Sequence, residues 1–157
     1  MPRSCSARSR ERGAALVELA FCIPVLVLIA VGTTDLARGF RMTTVLTSAS
    51  RAGAQYGAQS AAQSSDTAGM TNIARTVVSA NLAGTPTVTA SRLCECVTAS
   101  GTYSNTSPVN SCSDPCAGRF LAVHVTVTST ASFNLVSRIP GVPRTLTVSR
   151  SATMRAQ

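Results

Sequence analysis

The 157-residue sequence has no Trp, no Lys, a single His and 4% aromatic residues. Without Trp and with few other rings, any soluble core has to be built from Val, Leu, Ile and Ala. The formal charge of +8 is carried by Arg alone. Beyond position 12 these Arg residues are scattered, with no dense patch and no interleaved aromatics to stack bases, so the composition argues against nucleic acid as a partner. His124 has no carboxylate or nucleophile pattern around it in sequence, and no Gly-rich phosphate loop is present. A catalytic triad, a cofactor site and a small-molecule substrate are therefore not expected, and the chain does not read as an enzyme. His124 reads as a structural residue on the polar face of a strand.

Charge is sparse where it matters most. Residues 14–34 read AALVELAFCIPVLVLIAVGTT, with Glu18 the only charged side chain. As a helix this stretch is ~31 Å long, enough to cross a hydrocarbon core. Its Leu, Ile, Val and Phe residues supply roughly −3 to −7 kcal/mol of insertion free energy on a scale of −0.3 to −0.6 per residue. Glu18 lies near one end, where a carboxylate costs less than the ~3 kcal/mol of the bilayer centre. Membrane helices tolerate a proline such as Pro24 better than soluble ones do. Arg3, Arg8, Arg10 and Arg12 precede the run, which puts the N-terminus in the cytoplasm and the rest of the chain outside a cytoplasmic membrane. Asp35 and Arg38, three residues apart, mark the outer boundary. A competing reading takes Arg3–Arg12 and Leu19–Val31 as a cleaved signal peptide, ending at Ala30-Val31-Gly32, of a soluble secreted protein.

Past the boundary, Met42, Val45, Ala49, Ala52 and Tyr56 recur at helical spacing, and one long helix from about 14 to 58 is expected. Gly53 and Gly57 weaken its end. The small side chains of Ala49, Ala52 and Gly53 admit a second backbone, from this domain or from a partner. Residues 59–66 read as a polar linker. Thr67–Leu82 forms a short helix capped by Ser65 or Asp66, with Ile73, Val77 and Val78 facing inward and Ala83-Gly84-Thr85-Pro86 stopping it. Three extended segments follow, Thr87–Val97, Phe120–Phe133 and Arg144–Met154. The clearest alternates Leu121, Val123, Val125 and Val127 with Ala122, His124, Thr126 and Thr128. The fold class is α+β: a transmembrane helix, then a small domain (59–157) with a short helix and a three-stranded antiparallel sheet.

Six cysteines are present. Cys5 precedes the apolar run and Cys22 lies within it. Cys94, Cys96, Cys112 and Cys116 form an even set outside the membrane and read as two disulfides stapling a loop rich in Ser, Thr, Asn, Gly and Pro. Cys94 and Cys96 share one strand face, so each should reach across to Cys112 or Cys116. C-x-C with C-x-x-x-C is not the usual zinc-ribbon spacing, which leaves zinc as the alternative. Asn105-Thr106-Ser107 fits a glycosylation sequon.

Arg10-Glu11-Arg12-Gly13, then Ala14-Ala15-Leu16-Val17-Glu18 and an apolar run, resembles a type IV pilin-type leader. Together with Asp35-Leu36-Ala37-Arg38 and Ala49-Ser50-Arg51-Ala52-Gly53-Ala54, it is similar to the TadE-like family of tight-adherence (Tad/Flp) pilus systems. The resemblance implies a leader of residues 1–13, cut by a prepilin peptidase between Gly13 and Ala14. Glu18 then falls fifth in the mature chain, where it would pair with the freed amine of a neighbouring subunit and set register in assembly. Leu19 stands where major Flp pilins usually have Tyr, which points to a minor pseudopilin. The implied partners are the peptidase, other pilin or pseudopilin subunits, the Tad assembly machinery and membrane lipid.

Overall fold

The computed structural model describes residues 7–82, 84–98, 112, 116, 119–137, 141 and 143–156, with side chains from Leu16 onward. Helix α1 spans Ala7–Ala58 and contains Pro24 without a break. Two shorter helices follow, α2 (Ala61–Ser65) and α3 (Thr67–Asn81). Strands β1 (Thr87–Val97), β2 (Phe120–Asn134) and β3 (Thr145–Arg155) make one antiparallel sheet in the order β1-β2-β3. The architecture is α+β, as the sequence implies. Helix α1 starts at Ala7, so the backbone carries no break at Gly13.

The period-two pattern of β2 explains which face is covered. Val125, Val127 and Ser129 are fully buried against the helices, whereas Thr126, Thr128 and Thr130 lie on the other face. Register places Thr89 beside Thr128 and Ser91 beside Thr126, and on the far side Thr153 beside Thr126 and Ser149 beside Thr130. Hydroxyls meet across the strands, Thr126 Oγ1 to Thr153 Oγ1 at 2.8 Å and Thr130 Oγ1 to Ser149 Oγ at 3.0 Å. Such β-branched polar pairs suit a solvated sheet face.

On the covered face, the outer half of α1 and the whole of α3 pack against the sheet. Met42, Leu46 and Ala49 of α1 join Met70, Ala74 and Val78 of α3 and Val88, Val125 and Val127 of the sheet in one core. The buried stripe of α1 is rotated slightly from the expected one: Leu46 is fully buried, whereas Val45 and Ala52 are half-buried. In α3 the buried positions are Met70, Ala74 and Val78, with Ile73 and Val77 half-buried. Val78 is buried as expected, but Met70 and the small Ala74 take the places expected for Ile73 and Val77, because α3 packs closely on α1 at Gly53.

Gly53 and Gly57 stand at that closest approach. A Cβ on Gly53 would lie 2.8 Å from the Met70 carbonyl oxygen and 3.2 Å from both Ala74 Cβ and Val127 Cγ1. A Cβ on Gly57 would meet the Met70 side chain and Val125. These glycines let α3 and β2 dock on α1 rather than merely weaken its end. The residues expected to be a linker form α2, whose N-cap Ser60 accepts from the Gln63 amide. Asp66, not Ser65, caps α3 by accepting from the Gly69 amide at 2.8 Å.

Candidate membrane boundary and assembly site

The apolar run of α1 projects away from the domain. Phe21 is 76% exposed and Leu16 67%, and Leu19, Ile23, Val25, Leu26, Val27, Leu28 and Ile29 are all exposed. Among the described residues this is one helix long and apolar enough to cross a membrane. An uncovered surface of this size is untenable in water and matches the chemistry of lipid. At the outer end the Thr33 and Thr34 hydroxyls donate to carbonyls of Ala30 and Val31, so their polarity is satisfied within the helix. Glu18 is exposed on this segment.

Asp35 is the first residue past the run and is 6% exposed. Its carboxylate accepts from the Val136 amide at 2.9 Å and the Ser137 amide at 2.8 Å. These residues follow β2 directly, in a hairpin closed by the Leu135 amide bonding to the Arg144 carbonyl. Hydrogen bonds from the Ser137 hydroxyl and from the two amides hold the Asp35 carboxyl below its ordinary range. Arg38 sits 3.8 Å from Asp35, donates to the Asn134 carbonyl at 3.3 Å and stands 6.0 Å from the centre of the Phe133 ring. Asp35 and Arg38 therefore do more than face each other on the helix: they clamp the end of β2, from Asn134 to Ser137, to the end of the apolar run. The sequence carried no signal for this clamp, because its partners are backbone groups about a hundred residues away.

Further out, the Ser50 hydroxyl bridges Ser129 Oγ at 3.0 Å and the Arg150 carbonyl at 2.9 Å, the one buried polar link between α1 and the sheet centre among the described residues. Tyr56 donates to Asp66 at 2.9 Å. At the far end from the apolar run, Cys94 is bonded to Cys112 and Cys96 to Cys116, with Cα separations of 5.3 and 5.6 Å. Cys22 is free and exposed. His124 is half-buried on the outer sheet face, beside Leu93 and Arg155 in register. Gly13 and Ala14 lie within the helical backbone of α1. The Asn105 sequon falls outside the described residues.

Among the described residues, no group of three or more His, Cys, Asp and Glu side chains is placed to hold a metal. What the structure brings together is an anchor, a boundary clamp and a stapled far end. The class this fits is a single-pass membrane protein, with a small α+β domain packed on the outer half of its one long apolar helix. Comparison adds one likeness: a family model described as TadE-like protein matches residues 13–55, and over that stretch the chain is similar to that family. No curated protein and no solved structure matches the chain.

Proposed function

We propose that this protein is a minor pseudopilin, which joins a Tad/Flp-type pilus or an allied secretion apparatus through its apolar helix and has no catalysis of its own. In this reading a prepilin peptidase removes residues 1–13 on the cytoplasmic side, between Gly13 and Ala14. The protein then remains in the cytoplasmic membrane with its domain periplasmic or extracellular. The observation that carries the reading is Glu18, the only charged side chain between Gly13 and Asp35, exposed on a helix with nothing else to cover it. An unpaired carboxylate in an apolar setting is costly, and a neighbouring subunit's freed amine removes most of that cost. The pairing works only at one axial offset, so it also fixes register.

The test is Glu18→Gln in the native host. The variant should fractionate with membranes like the wild type and yet fail to co-purify with the other pilus subunits after mild detergent extraction. Normal recovery with those subunits refutes the role of Glu18.

A further inference from the structure

We infer that the foot of the domain is immersed in the headgroup layer of the bilayer that α1 crosses, so that Leu36, Phe40, Val136 and Leu146 meet lipid rather than water. The inference rests on the reading of α1 as a membrane anchor. Leu36 and Phe40 are each 74% exposed, Val136 59% and Leu146 40%. They come from α1, from the segment after β2 and from β3, and the fold brings them to the same end of the domain. The Val136 amide bonds to Asp35, the neighbour of Leu36. Phe133 comes within 3.3 Å of where a Cβ on Gly39 would stand, beside Phe40, and Leu146 is the register partner of Phe133. A mostly apolar hollow of about 610 Å³ joins Phe40 and Leu146 to Gly32 inside the apolar run. This surface therefore continues the one that faces lipid.

Length along α1 leaves the foot nowhere else to stand. The domain is fastened to α1 from Asp35, the first residue past the apolar run, with no spacer between span and domain. Phe40 lies five residues further, ~8 Å along the axis, and the headgroup layer on one side of a bilayer is roughly 5–8 Å thick. The uncharged stretch from Leu19 to Thr34 is only ~24 Å long against a hydrocarbon core of ~30 Å, so the span has no length to spare for lifting the foot clear. Polar groups at this level are satisfied within the protein: Asp35 by two amides, Asn134 by the Thr145 hydroxyl, and the Arg144 carbonyl by the Leu135 amide. Exposed large apolar side chains on α1 end at Phe40, and its exposed positions beyond it are Arg41, Thr44, Ser48, Arg51 and Gln55. A planar boundary crossing the helix accounts for that stop.

The chain has no Trp, so one introduced indole reports alone. The experiment is fluorescence quenching of full-length single-Trp variants in phosphatidylcholine vesicles, by phospholipid brominated near the carbonyl end of its chains and, separately, by acrylamide in the water. Phe40→Trp and Leu36→Trp should lose most of their emission to the brominated lipid and little to acrylamide. Gln55→Trp, ~22 Å further along α1, should do the reverse. Phe40→Trp quenched by acrylamide as strongly as Gln55→Trp overturns the inference. Phe40→Trp shielded from both quenchers overturns it too, because a second copy of the chain then covers the foot. Leu26→Trp, with lipid brominated in mid-chain, tests the anchor separately: no loss there fails the anchor reading, whereas strong loss there and none at Phe40→Trp fails this inference alone.

Discussion

Replacing Gly53 by Ala sets two effects of known sign against each other. In a helix interior the change should gain about 1 kcal/mol in propensity. At this position the new methyl would sit 2.8 Å from the Met70 carbonyl oxygen, well inside the 3.3–3.6 Å of even a close carbon–oxygen contact. The oxygen belongs to the backbone of α3 and cannot rotate away, and Ala74 and Val127 close the other sides at 3.2 Å. Relief requires α3 to move off α1, which opens the Met70–Ala74–Val78 seam. Overpacking of a filled core costs about 1–3 kcal/mol, so the net change is a loss of up to about 2 kcal/mol. For a domain of this size that is a fall of several degrees, at ~4–8 °C per kcal/mol. Gly32 has nothing within 4 Å of its Cβ position, so Gly32→Ala should not lower stability. The assay is thermal unfolding of the full chain in detergent by circular dichroism. A Tm for Gly53→Ala equal to or above that of the wild type refutes the close-approach reasoning.

Two further outcomes follow from named contacts. The paired substitution Cys94→Ser with Cys112→Ser should cost about 3 kcal/mol, the value for closing a loop of this length, and non-reducing peptide mapping of the wild type should recover Cys94–Cys112 and Cys96–Cys116, four free thiols being the contrary result. The Gly69 amide, and then the Tyr56 hydroxyl, hold Asp66 below its ordinary pKa of 3.8; a depressed carboxyl stabilises the fold above its unfolded pKa and loses that contribution as pH falls through the folded one. Asp66→Asn should therefore lower stability at neutral pH and flatten its decline below about pH 4, and an unchanged acid limb in denaturant titrations would contradict the assignment.

Much of this molecule is written in local pattern. Strand β2 was legible because Val123, Val125 and Val127 alternate with hydroxyl-bearing and small residues, and the end of α3 because Gly84 and Pro86 follow it. The apolar run is legible from composition, since nothing else places so many bare aliphatic side chains in a row. Helix α2 was not, because Gln59–Asp66 has the composition of a linker and only the Ser60–Gln63 cap organises it. Intrinsic propensity assigns Gly53 and Gly57 only a cost, while their value comes from the α3 backbone that approaches Gly53 and the Met70 and Val125 side chains that pack on Gly57. Asp35 was readable as a boundary charge but not as the hairpin's anchor. A carboxylate that binds main-chain amides leaves no complementary residue type to find, so only the fold brings Val136 and Ser137 to it. Leu46 replaced Val45 at the centre of the core because the helix phase is set by α3 and the sheet together.

Intact-mass and N-terminal determination of the protein recovered from its native membrane bears most directly on the account. Processing of a pseudopilin predicts a chain that begins at Ala14, retains α1 and stays with lipid. A chain that begins at Thr33 and is found in the soluble fraction would have lost Glu18 and the apolar run with it, and would contradict the account.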